Sequence, residues 1–191
     1  MNARRAALSA VERARASAAG CARLAALPEL AAEAVRGRVV AGFVARAAEI
    51  DPAAALDEVR RRGGRVALPR VTDTPPRLRL HVSDGAGLSP GRFGIPEPDP
   101  AAPEVALDDV AVMILPGLAF DGGGRRLGTG GGYYDELLAA PARRPLLIGL
   151  AFDFQVVERC PAAEHDRRVD RVITDGRSLG CDDAADDGGA P

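Results

Sequence analysis

The sequence predicts an α/β fold, a three-layer sandwich with a mostly parallel central sheet and helices on both faces. Three observations predict it. Unbroken apolar runs, Val110 to Leu115 (VAVMIL) and Leu146 to Ala151 (LLIGLA), are six residues each and are flanked by segments of helical composition. Runs this short, apolar at every position, mark strands buried on both faces, as parallel sheets require. A glycine-dense stretch directly follows the first run and leads into a helical-looking segment, YYDELLAA. In open α/β sheets ligands bind beyond the carboxyl ends of strands, so this is where a site is expected.

The remaining elements follow in order. Residues 4–26 have helical composition and spacing, and Ser9 with Glu12 forms a capping-box pattern at which the helix restarts. Pro28 opens a second helix near 29–36, and Val39 to Val44 reads as a short buried strand. Pro52 suits the start of a helix over 52–62, which Gly63-Gly64 stops. RVALPRV (65–71) and LRLHV (78–82) read as strands. Residues 83–106, rich in Pro and Gly, are expected to form an ordered loop over the domain. A helix is expected near 132–139 and a last short strand at 172–175. From Gly176 the chain turns acidic and poor in apolar residues, so 1–175 reads as the domain and 176–191 as a disordered tail.

Composition narrows the function classes. The 191 residues are 47% hydrophobic but only 4% aromatic, without Trp, so the core relies on Ala, Val, Leu and Ile. The formal net charge of −2 argues against a nucleic-acid binder acting through bulk charge. All 25 basic residues are arginine. Cys21, Cys160 and Cys181 fit no disulfide or metal spacing, and neither His81 nor His165 completes a zinc-ligand pattern with them, so no zinc site is expected. No apolar run approaches the ~18 residues of a membrane span. The expectation is a cytoplasmic, monomeric protein with small-molecule substrates and neither nucleic acid nor membrane as partner.

The segment LPGLAFDGGGRRLGTGGGYYDELL (115–138) carries the chemistry. Gly128, Gly130, Gly131 and Gly132 leave backbone N–H groups uncovered and able to converge on an anion. Arg125 and Arg126 supply planar donor forks suited to phosphate. Asp135 suits a hard cation accompanying a nucleotide. The spacing is neither the dinucleotide fingerprint nor a Gly-Lys-Ser/Thr phosphate loop, since the chain has no lysine. From the residues alone, this is an α/β protein with a phosphate site.

Several segments, in order, resemble the 5-formyltetrahydrofolate cyclo-ligase (5,10-methenyltetrahydrofolate synthetase) family. They are Arg4 to Ser17, Glu49-Ile50-Asp51, Val66 to Val71, Gly91 to Pro98 (GRFGIPEP), the glycine segment, and Ile148 to Phe152 with Gln155. Glu164-His165-Asp166, Val169-Asp170 and Ile173-Thr174 complete the set. The resemblance implies an ATP- and Mg²⁺-dependent enzyme that closes 5-formyltetrahydrofolate to 5,10-methenyltetrahydrofolate through a phosphorylated formyl group, releasing ADP and phosphate. It implies that Arg126, Leu127, Gly128, Thr129, Gly130, Gly131, Gly132, Tyr133 and Tyr134 bind ATP. Arg126, Tyr133 and Tyr134 would be catalytic, and Val44, Glu49, Gly131 and Tyr133 would contact the folate. Asp135 and Asp170 would hold Mg²⁺. His165, between Glu164 and Asp166, reads as a loop residue rather than a base.

One departure bears on the ATP site. The family pattern has a Lys-x-x-Leu-Arg stretch upstream of the segment matching Arg4 to Ser17, and the sequence at hand starts downstream of it. Arg4 and Arg5 align with later basic residues of the same helix and are expected to replace those phosphate contacts only in part. The alternative reading is accordingly a non-catalytic folate- or nucleotide-binding relative.

Overall fold

The computed structural model describes residues 1–72, 76–139, 142–161 and 167–181. The first helical segment is two helices, α1 (Asn2–Ala6) and α2 (Ala10–Ala25), divided at Ser9. Ser9 Oγ accepts from the Glu12 N–H at 3.2 Å, and Glu12 Oε2 accepts from the Ser9 N–H at 2.8 Å. This reciprocal cap meets two donors that the first turn cannot pair internally. The helix expected near 29–36 is broken into a 3₁₀ turn at Pro28–Leu30 and α3 (Ala32–Val35). β1 (Val39–Ala41), α4 (Ala53–Arg61), β2 (Arg65–Val71) and β3 (Leu78–Val82) follow. The expected loop over 83–106 is ordered and carries a hairpin, β4 (Ser89–Pro90) with β5 (Pro96–Glu97), and then β6 (Glu104–Val105). The second half comprises β7 (Val110–Leu115), β8 (Ala119–Asp121), β9 (Arg126–Leu127), α5 (Tyr133–Leu137), β10 (Leu146–Ala151), β11 (Val156–Val157), β12 (Arg171–Thr174) and β13 (Ser178–Gly180).

Eight strands form one sheet in the order β13-β12-β10-β7-β1-β2-β3-β6. The pairings from β12 through β10, β7 and β1 to β2 are parallel, and both margins are antiparallel. The chain therefore starts mid-sheet at β1, builds outward to β2, and later returns to β7 on the other side of β1. That reversal is a topological switch point, and the carboxyl ends of β1 and β7 border the crevice it leaves.

Side chains alternate between two cores. Val112, Ile114, Ile148 and Leu150 face one core, capped by Cys21 and Leu24 of α2, Val35 of α3 and Leu56 and Val59 of α4. Met113, Leu115, Leu147 and Ala151 face the other, which contains Phe120 and Leu138 and against which Tyr134 and Leu137 of α5 pack. The sandwich is thus three-layered with unequal outer layers. Most helices lie on one side, and the other combines the short α5 with a small sheet in the order β11-β8-β9. No helix among the described residues is long and apolar enough to cross a membrane.

The tail expectation needs correction. Residues 178–180 are β13, paired antiparallel with β12, and the Cys181 N–H donates to the Asp170 carbonyl at 2.9 Å. An edge strand is held by backbone bonds on one side and needs little apolar content; here Leu179 packs against the second core. The ordered domain therefore extends past 175, while residues 182–191 lie outside the described residues.

Gly149 of β10 shows why the second core tolerates so large a ring as Phe120. A Cβ at Gly149 would collide with the Phe120 ring, and one at Gly117 would lie 2.7 Å from it. Phe120 is fully buried, so the ring has no outlet to solvent. Gly149→Ala is expected to destabilise the fold by about 1–3 kcal/mol through overpacking, measurable as a lower urea midpoint. A midpoint at or above that of the wild type would contradict the packing of Phe120 on Gly149.

Candidate active site

A cavity of about 350 Å³ opens at the switch point. Phe43 and Val44 after β1, Pro69 and Val71 of β2, and Pro116 and Gly117 after β7 supply its apolar walls. Gly128 to Gly132, with Tyr133, Tyr134 and Asp135 of α5, supply its polar side. Glu49, Arg46 and the β4–β5 hairpin close the rim.

Arg126 is the centre of the polar side. It is only 8% exposed, and its Nη2 donates to Asp135 Oδ1 at 2.6 Å. Its guanidinium lies 5.6 Å from the centre of the Tyr134 ring. Its Nε is buried with no hydrogen-bond partner. A buried unmet donor on a cation is costly, and an anionic ligand would satisfy it. Between Arg126 and Asp135 the chain turns through Gly130 and Gly132, at φ +89° and +66°. Only glycine holds such angles without strain. At Gly131 a Cβ would lie 2.9 Å from the Tyr133 ring, so backbone and ring are closely apposed. The expected helix after the loop is shorter than the sequence suggests, five residues in α5, so its dipole contributes little.

Burial pushes the Tyr134 phenol well above the ordinary tyrosine range; the charge of Glu49 adds to this, while Arg126 and Arg46 oppose it. Tyr134 is therefore a neutral hydroxyl, able to donate a hydrogen bond, across the physiological range. Tyr133 stacks edge-on against Phe93 at 5.9 Å. Phe93 is the one non-glycine residue among the described residues with positive φ, at 64°, and it is 58% exposed at the cavity mouth. An exposed aromatic held in a left-handed conformation is the kind of strain that accompanies ligand contact.

Glu49 reaches the cavity from the loop after β1. Its Oε2 accepts from the Arg46 N–H at 2.9 Å, and its Oε1 lies 3.6 Å from Arg5 Nη2. It does not serve as the start of α4, whose first N–H, that of Ala53, is met by Asp51 Oδ1 at 3.0 Å. Glu97 of β5 also lines the cavity and is buried beside Arg70, with 3.5 Å between Oε2 and Nη1. Gly91 across the hairpin has no room for a Cβ because the Glu97 carboxyl occupies that space.

The structure gathers Val44, Glu49, Arg126, Gly128, Thr129, Gly130, Gly131, Gly132, Tyr133, Tyr134 and Asp135 around this one cavity. It does not bring Leu127 or Asp170 there. Leu127 is exposed, and its carbonyl accepts from the Leu118 N–H at 2.7 Å, at the open end of the β8–β9 pair. Asp170 sits at the amino end of β12, across the sheet from the cavity. Its Oδ2 accepts from the Leu147 N–H at 2.7 Å, and its Oδ1 pairs with Arg144 at 2.9 Å. Its carboxylate organises the start of β10, so the expectation that Asp135 and Asp170 meet at one ion is corrected. Arg4 and Arg5 also stay outside the cavity. Arg4 lies over the Phe154 ring at 4.4 Å, and Arg5 donates from Nε to the Ala48 carbonyl at 3.0 Å. Arg125 pairs with Asp121 rather than with the loop's interior. Glu164, His165 and Asp166 lie outside the described residues. Phe93 and Glu97 were not singled out as site residues from the sequence, and Arg5 was read only as a partial replacement for phosphate contacts; the glycines around Phe93, Gly91 and Gly94, were the available signal.

Asp135 fits a cation partly. It is part-exposed at the cavity, and among the described residues only its Oδ1 has a partner. No cluster of three His, Cys, Asp or Glu side chains among the described residues is arranged to hold a metal by itself. A Mg²⁺ here would take most of its ligands from phosphate oxygens and water, as that ion commonly does.

Fold and site together define an α/β protein with a glycine loop and a buried arginine at a sheet switch point. The model of the 5-formyltetrahydrofolate cyclo-ligase family matches residues 1–175. The chain is 31% identical over 150 residues to a 5-formyltetrahydrofolate cyclo-ligase of Mycolicibacterium smegmatis, covering 76% of this chain and 77% of that one. It is 33% identical over 144 residues to the Escherichia coli K12 protein of the same name, covering 73% and 79%. Among solved structures, a 5,10-methenyltetrahydrofolate synthetase of Aquifex aeolicus superposes with a TM-score of 0.79 at 34% identity, covering 95% of this chain and 89% of that one. The chain belongs to the 5-formyltetrahydrofolate cyclo-ligase family, a family of enzymes.

The partly buried Tyr134 phenol has a measurable consequence. A tyrosine whose folded-state pKa exceeds its unfolded value of ~10 adds stability below that pH and loses it as pH rises through the folded value. Unfolding free energy should therefore fall more steeply with pH above ~10 in the wild type than in Tyr134→Phe. Equal slopes in urea denaturation across that range would contradict the partial desolvation of the Tyr134 phenol.

Proposed function

We propose that the protein closes 5-formyltetrahydrofolate to 5,10-methenyltetrahydrofolate at the expense of ATP, with Mg²⁺. The observation that carries the proposal is the Arg126–Asp135 pair under the glycine loop, facing Glu49 across one cavity. The names of the similar proteins supply the substrate.

The N5-formyl group is an amide and a poor electrophile. In the proposed reaction its oxygen attacks the γ-phosphorus of ATP, ADP leaves, and an imidoyl phosphate forms. N10 of the same folate then attacks the formyl carbon and loses its proton. The C–O bond breaks, phosphate departs with the bonding electrons, and the N5–CH–N10 amidinium remains. Catalysis of this kind rests on in-line positioning and neutralisation of charge.

The chain's residues suit these needs. Arg126, held by Asp135, offers a fixed cation and an unmet Nε–H to the transferring phosphoryl group. The backbone N–H groups of Gly128 to Gly132 can meet phosphate oxygens. Asp135 would hold Mg²⁺, which would supply neutralisation of phosphate charge. Glu49 can accept paired hydrogen bonds from the amino and ring N–H groups of the pterin. Val44 and Phe43 offer it an apolar wall. Tyr134 can donate a hydrogen bond without titrating, and Tyr133 with Phe93 offers an aromatic edge to a planar ligand.

The test is to follow the near-ultraviolet absorbance of the methenyl product with 5-formyltetrahydrofolate, ATP and Mg²⁺. Product should depend on both ATP and Mg²⁺. Arg126→Ala and Asp135→Asn should each reduce kcat by about 10²–10³, the usual loss for a group stabilising transition-state charge. Asp170→Asn should leave kcat near the wild-type value and lower thermal stability. Binding of folate and nucleotide by a folded wild type with no turnover would replace this proposal with the non-catalytic alternative.

A further inference from the structure

Arg5 is buried to 6% exposure on α1, a short helix outside the cavity. Its guanidinium reaches the back of the loop that carries Glu49. Nε donates to the Ala48 carbonyl at 3.0 Å, Nη2 lies 3.6 Å from Glu49 Oε1, and Nη1 is buried with no partner. Both side chains of the pair are largely removed from water, at 7% and 12% exposure. A buried ion pair with an unmet donor is a poor device for stability, because apolar side chains of similar volume serve a fold as well or better. A role confined to packing therefore gives no reason for a guanidinium here.

We infer that Arg5 is a positioning residue for substrate binding: its buried guanidinium holds the Glu49 carboxylate oriented toward the cavity. The inference rests on the reading of Glu49 as the acid that meets the folate. Glu49 is restrained at both oxygens. The Arg46 N–H fixes Oε2, and the same short turn is closed by the Glu49 N–H donating to the Arg46 carbonyl at 2.9 Å. Arg5 supplies the countercharge at Oε1 and, through Ala48, ties the turn to α1. Without that partner Oε1 loses its restraint and other Glu49 rotamers gain ground, so the two acceptor oxygens no longer stand together toward an N–H-rich ring edge. Arg5 thus acts on folate binding from behind the cavity, without touching either substrate and without bearing on the phosphate side.

The experiment is steady-state kinetics on the full chain with 5-formyltetrahydrofolate, ATP and Mg²⁺, comparing the wild type, Arg5→Gln, Arg5→Lys, Glu49→Gln and the Arg5→Gln/Glu49→Gln double variant. Arg5→Gln should raise the KM for folate about tenfold or more, as expected when one partner of a buried charge pair is removed, and leave the KM for ATP unchanged. Arg5→Lys keeps the charge without the fork and should give an intermediate folate KM. In the Glu49→Gln background, Arg5→Gln should add nothing further. Should Arg5→Gln fail to fold, Arg5→Lys carries the same cycle against Glu49→Gln. The inference is overturned if Arg5 variants keep the wild-type folate KM while Glu49→Gln raises it. It is also overturned if their effect persists undiminished without Glu49, or if the folate and ATP KM values move together. A Glu49→Gln enzyme with an unaltered folate KM overturns the reading of Glu49 itself, and the inference with it.

Discussion

A single charge-assisted hydrogen bond, from Arg126 to Asp135, closes the glycine loop on itself. The arginine leaves the small sheet on β9 and the aspartate enters from α5, so the bond pins both ends of a segment that glycine alone would leave free. The loop pays for its backbone freedom in conformational entropy, and only fixed ends let several N–H groups point at one place. The same bond keeps the guanidinium out of water with Nε unmet. The site is thus assembled around a donor that the protein does not satisfy.

The sheet determines where that donor stands. Because β1 lies between β7 and β2, the segments leaving β1 and β7 at their carboxyl ends diverge toward opposite faces. One leads to α4 and the Glu49 turn, the other to β8, β9 and the glycine loop. Glu49 and Arg126 therefore come from opposite layers and meet only at the switch point. Phe120, seated over Gly149 and Gly117, holds the second layer down at the root of this crevice.

The sequence was most legible where burial acts on continuous segments. Strands such as Val110–Leu115 and Leu146–Ala151 announce themselves because both faces are dry. The Ser9–Glu12 cap was legible because its chemistry is local. The small sheet was not, since strands of two or three residues carry no period. β13 was missed because an edge strand needs backbone partners more than apolar side chains. In the site, the glycine loop, Arg126 and Asp135 are contiguous enough to read directly, whereas Glu49 came through family resemblance. Asp170 was misplaced because a motif records identity and order but not which end of a strand a residue occupies. Glu97 was overlooked, and Arg5 was read as a partial phosphate contact, because the surroundings of both are set by burial and by partners distant in sequence, Arg5 in the Glu49 turn and Glu97 beside Arg70.

In the proposed reaction the formyl oxygen passes to the γ-phosphorus in this cavity, and the fate of that oxygen is observable. The measurement is mass analysis of the inorganic phosphate formed from 5-formyltetrahydrofolate labelled with ¹⁸O in the formyl group. The label should leave the folate bonded to phosphorus, one labelled oxygen in each phosphate released with product. Unlabelled phosphate alongside methenyl product would contradict it, because the formyl oxygen would then have departed without ever being phosphorylated.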